Sequence, residues 1–415
     1  MNINKTMFIC LLLLSLIVSS FNGVSIRSNT TCVESITLTY FFPPPTISAQ
    51  LSSDSIVHSV TIDDLPVTHE TDQPCLPVKP LRVLLPNGLT VDDVTVEIDQ
   101  TPLVISSINP IKGSHLLQIN TISENTDTSK NSSDQSKDLF SIIGIFTLKG
   151  YSILYLTLHP VIYDENSQQL TYHPRLTVTI RMTQSSASKT IRGLQSDKDQ
   201  VGSIVENPYI MQTYEPTISH LNSISSATYL VITNRQLLNS GLEDTFQFLI
   251  QSKIDKGISA RIVTVEDILD DASFSVNGTW GDNNPSNPFY QMPITEHFER
   301  FDDTSARIRN YIRYAYMELG TEYVLLGGDA DITNESQNII PARGLFANES
   351  GLPLISHGIT LAEEEDDIPS DVYYACLDGT FNYDMDEHFG ESKDRNDITL
   401  IDEADLLSEI SVGRA

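Results

Sequence analysis

The chain reads as two folded parts joined by a polar stretch. An all-β, sandwich-type domain spans residues 30–183, and an α/β domain with a parallel sheet spans residues 227–415. Three observations predict this. Apolar residues alternate with polar ones through the first half, where no long run of helical period occurs. Strand-like runs then alternate with amphipathic helices in the second half. Between the halves, residues 184–226 lack a strong apolar pattern and read as an interdomain linker, with a spacer and a processing site as open readings. The 415 residues, 40% hydrophobic, suffice for more than one core.

Ahead of the first domain, Lys5 precedes an apolar run over residues 7–18, and small polar residues follow to Ser25. This pattern predicts an export signal over residues 1–23. The run is too short to span a bilayer, which takes about 20 apolar residues. A secreted or cell-surface location and no stable membrane span are therefore expected. Cys32, Cys75 and Cys376 remain in the mature chain, and a Cys32–Cys75 bridge is one open pairing. Asn29, Asn131, Asn277, Asn334 and Asn348 begin Asn-x-Ser/Thr sites.

In the β domain, Ser35-Ile36-Thr37-Leu38-Thr39-Tyr40, residues 91–98 and Leu176-Thr177-Val178-Thr179-Ile180 alternate, which gives one buried and one wet face. Turns fall at Pro43-Pro44-Pro45, Pro86-Asn87-Gly88 and Asp164-Glu165-Asn166. Residues 123–137 form a polar loop. In the linker, Lys189, Arg192 and Lys198 are expected to be exposed.

The α/β part opens with the strand Thr228-Tyr229-Leu230-Val231-Ile232-Thr233. A helix follows over residues 242–256, with Gly257 as its C-cap, and then the strand Arg261-Ile262-Val263-Thr264-Val265. Residues 267–299, rich in Asn and Pro, read as a surface excursion. Asp303 or Thr304 caps the next helix, in which Ile308, Tyr311, Ile312, Ala315 and Leu319 recur at helical spacing before Gly320. Residues 322–329 form a third strand, and residues 371–376 and 409–412 two more. The strand–helix–strand order implies right-handed crossovers and a parallel sheet.

Charge excludes some functions. Lys and Arg number 25 against 55 Asp and Glu, a net charge of −30. A surface of this sign repels nucleic acid and anionic lipid. Between Glu363 and Asp405 the net is −14, with Lys393 and Arg395 the only bases. Within that stretch oxygen side chains repeat at Asn382, Asp384 and Asp386, with Asp378 before and Glu391 after. Closely spaced oxygens on a bendable loop suit calcium, and the five residues form a candidate structural calcium site. Asp402 and Asp405 are placed to add ligands. A solvated acidic loop is the competing reading, and the spacing lacks the central Gly of an EF-hand.

The first strand runs into Thr233-Asn234-Arg235-Gln236, without the glycines a dinucleotide or a phosphate loop requires. Asp329 and Asp331 lie at a strand's carboxyl end, either as polar contacts or as caps of backbone N–H groups. His357-Gly358 and Cys376 offer a base and a thiol, but Cys376 sits in an apolar run and reads as packing. His388 reads as exposed.

Four stretches together resemble the gingipain-type cysteine peptidases: Gln73-Pro74-Cys75-Leu76-Pro77-Val78 with residues 83–88; residues 228–267; residues 308–313 leading to 323–329 and Ile340-Pro341-Ala342-Arg343; and Ser370-Asp371-Val372-Tyr373-Tyr374-Ala375 with Leu377-Asp378-Gly379, ending at Val412-Gly413-Arg414. The resemblance implies a β-rich propeptide that inhibits its own enzyme intramolecularly. It implies a caspase-like catalytic domain, calcium, and protein or peptide substrates. In that family the nucleophilic Cys and a His-Gly belong to a second subdomain, after the Gly-Arg strand. The expectation is thus a secreted endopeptidase precursor cut short before its dyad, with the catalytic pair beyond Ala415 and no catalytic residue assigned in this chain. The alternative is a non-catalytic, calcium-binding adhesion or scaffold protein.

Overall fold

Alternation along the first long strand becomes a buried face. Ile36, Leu38 and Tyr40 are buried while Ser35, Thr37 and Thr39 stay half-exposed. The computed structural model describes residues 25–27, 35–52, 55–69, 73–113, 139–185, 191–216, 226–241, 245–290, 298–330, 338–348, 355–356, 359–360, 365–379, 381–382, 385, 388–390 and 406–415. Residues 1–23, expected to be an export signal, Cys32 and residues 123–137, expected to be a polar loop, lie outside these. The chain divides into two units, one of residues 1–81, 89–144 and 155–185, the other of residues 82–88, 145–154 and 186–415.

The first unit is rich in antiparallel strands. One sheet runs in the order Ser25–Arg27, Ser35–Phe41, Arg175–Gln184, Leu89–Ile98, with every neighbour antiparallel. Leu38 pairs with Val178 and Val178 with Val96, so apolar residues of three strands share a face. On the other face hydroxyls pair across strands, Thr39 with Thr177 at 3.0 Å and Thr37 with Thr179 at 3.4 Å. A second sheet orders Val161–Asp164, Gln169–Tyr172 and Leu103–Ser106. Its tight turn is held by Asp164, whose carboxylate accepts from Asn166 N and Ser167 Oγ. Half-buried Cys75 places its Sγ 4.0 Å from His69 Nδ1, and burial pushes the thiol up.

The second unit carries a four-stranded, wholly parallel sheet in the order Ala260–Thr264, Tyr229–Thr233, Tyr323–Gly327, Ser411–Arg414. Helix Phe246–Asp255 connects the first pair; Thr245 Oγ1 accepts from Phe248 N at its start, and Gly257 (φ 80°) takes the left-handed turn after it. Helix Thr304–Glu318 leads to the third strand. Asp303 caps it, accepting from Ala306 N at 2.8 Å. Ile308, Ile312 and Ala315 from this helix pack with Leu230, Ile232, Val324 and Leu326 from the sheet, all buried.

Three local expectations differ from the structure. Residues 371–376 hold a short helix, Val372–Ala375, and not a strand. Residues 267–290 are built in, with Phe274, Val276, Trp280 and Asn287 buried. Asn287 explains this, because its side chain donates to the carbonyls of Trp280 and Gly281 and replaces water for them. The polar stretch after residue 190 is structured too. It forms helix Gln195–Ile204 and a 3₁₀ turn, Pro208–Thr213. Arg192, expected at the surface, is only 3% exposed. It grips Asp197 with two hydrogen bonds of 2.9 and 2.6 Å and donates to the carbonyls of Tyr316 and Thr321. Lys149 adds a second cation 3.1 Å from Asp197.

Further along, Asn207 accepts from Leu84 N and donates to Leu84 O, acting as a one-residue extension of a strand. Asn207→Ala leaves both Leu84 groups buried and unpaired. We expect a loss of about 2–4 kcal/mol, read as a lower urea midpoint, with Ser203→Ala on an exposed helix position within about 0.5 kcal/mol of the parent.

Candidate functional site

In an open parallel sheet, ligands collect where the strand order reverses, here between the carboxyl ends of Tyr229–Thr233 and Tyr323–Gly327. The chain fills this place itself. A Cβ on Gly327 would meet the Phe246 ring at 2.5 Å, so the glycine exists to admit the ring. Thr233 Oγ1 donates to Gly327 O at 2.7 Å. Asp329 caps, as one of its two readings had it: its Oδ1 accepts from Ile339 N at 3.3 Å. Arg414 donates to the carbonyls of Gly328 and Ile340 and pairs with Asp371. A nearby hollow of about 370 Å³, floored by Leu237, Phe246 and Phe248, carries no titratable side chain.

Polar groups concentrate elsewhere, where the long helix meets the turn after Val372–Ala375. Arg309, fully buried, donates to Cys376 O through Nε (3.1 Å) and Nη2 (2.7 Å), and to Gly379 O at 2.8 Å. Its guanidinium lies over the faces of Tyr373 and Phe381. Burial and the neighbouring Arg313 pull its pKa down from the ordinary arginine value. Arg313 donates to Leu377 O at 2.8 Å and pairs with Asp282. Both arginines thus clamp backbone carbonyls of one short turn.

The side chains of that turn meet a residue from the last strand's approach. Cys376 Sγ lies 3.9 Å from Asp378 Oδ1. Glu409, 2% exposed, accepts from Leu377 N at 2.8 Å. One ligand atom from each of Cys376, Asp378 and Glu409 falls within 4.8 Å of the others. Sequence reading placed Glu409 in a strand-like run and missed it here. Its meaning depends on Leu377, which no local pattern connects to it.

Of the candidate calcium ligands, Asp378 and Asn382 are described, with Asn382 buried. Asp384, Asp386 and Glu391 lie outside the described residues, as do Asp331, His357, Asp402 and Asp405. Half-exposed His388 sets its ring 4.4 Å from that of Phe346. Cys376 fits the packing reading. It is fully buried and belongs to the apolar core of the α/β unit.

The clamp has a measurable consequence. Arg309→Met keeps the length and removes the donors, stranding the Cys376 and Gly379 carbonyls in the core. We expect a loss of about 2–4 kcal/mol and faster amide hydrogen exchange across residues 376–379.

No helix among the described residues is long and apolar enough to cross a membrane. No curated protein matches the chain. Among solved structures, it is similar to a chain of the complex of Porphyromonas gingivalis RgpB pro- and mature domains. That likeness has 14% identity and a TM-score of 0.32, and covers 45% of this chain and 97% of that one. It is also similar to gingipain K from Porphyromonas gingivalis, in a structure concerned with zymogenic latency. There the identity is 17% and the TM-score 0.28, with 40% of this chain and 96% of that one covered. The family model does more, because its match coincides with the parallel sheet and both arginine clamps. Residues 223–415 match the family model of Peptidase family C25, and over that region the likeness to the gingipain-type cysteine peptidases read from the sequence holds.

Proposed function

We propose that the chain is part of a secreted gingipain-like cysteine endopeptidase precursor, in which the strand-rich residues 30–183 act as the propeptide and residues 227–415 as an α/β, caspase-like subdomain. The family-model match over residues 223–415 carries this reading. In such an enzyme a thiolate, activated by an imidazole, attacks a peptide carbonyl, and backbone N–H donors hold the oxyanion. The environment of Cys376 argues against that role, since a substrate carbonyl has no approach to a fully buried sulfur. The reading therefore assigns the reacting thiol to another cysteine. The propeptide is proposed as an intramolecular inhibitor whose removal releases activity.

The structured stretch after residue 190 sharpens where removal occurs. Residues 191–216 hold the buried Arg192–Asp197 pair and buried Asn207, and a protease needs extended, accessible backbone. N-terminal sequencing of the protein secreted by its source cells is expected to show new ends near residue 24 and within 184–226, but outside 191–216. A secreted product that is intact from residue 24 onward overturns the precursor reading. Assay of the 415-residue chain against mixed peptides under reducing conditions is a second check. Cleavage abolished by Cys376→Ala in a folded protein would return the catalytic role to Cys376.

A further inference from the structure

We propose that Cys376, Asp378 and Glu409 form a binding site for a divalent transition ion of the zinc type. The proposal stands apart from the peptidase reading and differs from the candidate calcium set, with which it shares only Asp378. Zinc binds sulfur at about 2.3 Å and carboxylate oxygen at about 2.0 Å, so tetrahedral ligands lie roughly 3.5 Å apart. Cys376 Sγ and Asp378 Oδ1 are separated by 3.9 Å, and the Glu409 oxygen completes a triangle with no edge above 4.8 Å. Closing the triangle takes shifts of a few tenths of an ångström to about one ångström, within the reach of side-chain rotation.

A second observation points to the same place. Tyr316 is 2% exposed, and its hydroxyl has no hydrogen-bond partner among the described residues. A buried hydroxyl left without a partner is costly, and such groups are rare in native proteins. Arg309, Arg313 and Tyr316 stand three to four residues apart on the long helix and so share one face. The first two clamp the carbonyls of residues 376, 377 and 379. The third, one turn on, stands on the same face, within reach of the Asp378 and Glu409 charges. Burial pushes its phenol well up; Arg192 over its ring opposes this, while Asp197, Glu409 and Asp378 add to it. A water on the metal's fourth position would give the hydroxyl its missing partner.

The chemistry selects the ion. Calcium takes oxygen ligands only, whereas a cysteine sulfur favours zinc and its softer neighbours. The arginines occupy the turn's carbonyl oxygens, which removes the donors calcium would use. Binding forms a sulfur–metal bond and releases the thiol proton to solvent, with no change of oxidation state. Half-exposed Asp378 leaves a way in from solvent.

The test uses the whole chain, stripped with a chelator under reducing conditions and titrated with Co²⁺ as the probe, then with Zn²⁺. We expect one equivalent of Co²⁺ to bind with a thiolate-to-metal charge-transfer band, displaced by Zn²⁺. The band should vanish in Cys376→Ser and persist in Cys75→Ser. Asp378→Asn, at a half-exposed position, tests the site without touching the core, and should weaken binding by about tenfold or more. Circular dichroism establishes that each variant is folded; if Cys376→Ser is not, Asp378→Asn decides. Absence of the band, a band surviving in folded Cys376→Ser, unchanged affinity in Asp378→Asn, or binding of Ca²⁺ alone overturns the proposal.

Discussion

Burial of the Arg309 guanidinium is the constraint around which the α/β unit is arranged. A fully buried cation must be solvated by the protein, and its hydrogen bonds here go to carbonyl oxygens of Cys376 and Gly379 rather than to a carboxylate. Two aromatic faces complete its surroundings. Carbonyl dipoles serve only if several converge, so the chain at 376–379 is held in a turn that aims three of them at one helix. Arg313 repeats the device one helical turn later, with Asp282 as a counter-charge from the built-in stretch 267–290. The long helix is therefore more than a crossover between two strands. It fixes, through backbone atoms alone, where the side chains of Cys376 and Asp378 stand.

A second buried cation does similar work at the other end of that helix. Arg192 reaches the carbonyls of Tyr316 and Thr321, where the helix ends and its unpaired carbonyls concentrate negative potential. Asp197 balances Arg192 and Lys149 together. Removing Asp197 would leave two buried cations facing each other without a counter-charge, which is more costly than the net worth of the pair. This explains why a segment with weak hydrophobic pattern is nonetheless ordered. Of its few apolar residues, Ile191, Val201 and Ile210 are buried, and the rest of its attachment is ionic and hydrogen-bonded, with the Tyr214 hydroxyl donating to Leu85 O and accepting from Ser152 N.

How much of this was legible follows from the range of each interaction. The parallel strands, the cap at Asp303 and the glycine after residue 256 rest on neighbours within a few residues, and the sequence pattern shows them. The antiparallel strands of the first unit are equally plain, since period-two alternation states which face is buried. Arg192 reads as a surface residue because the carbonyls that bury it lie 124 and 129 positions away, and Asp197, five positions on, gives no sign of being buried with it. Glu409 was invisible for the same reason, with Leu377 N 32 positions off. The stretch 267–290 misled through composition, because asparagine signals a loop whether its amide faces water or, as with Asn287, the loop's own carbonyls. Residues placed by long-range polar contacts are thus the ones that pattern reading loses, and they include every member of the candidate site except Cys376 and Asp378.

Those two residues were noticed for reasons the structure reorders. Asp378 drew attention as one of many acids, and Cys376 as a thiol within reach of a peptidase reading. In the fold they are joined to each other and to Glu409, and that company changes what the sulfur can do. A nucleophilic thiolate is raised by nearby positive charge and needs open access. Here the neighbours on the side-chain flank are carboxylates, and the sulfur itself is buried beyond the reach of a peptide. The arginines that would favour ionisation spend their hydrogen bonds on carbonyls. The same features that disqualify the thiol as a nucleophile, namely adjacent anions and a fixed backbone, are those that suit a ligand for a cation. A region that matches a cysteine-peptidase family therefore contains a cysteine whose environment favours holding an ion over attacking a substrate.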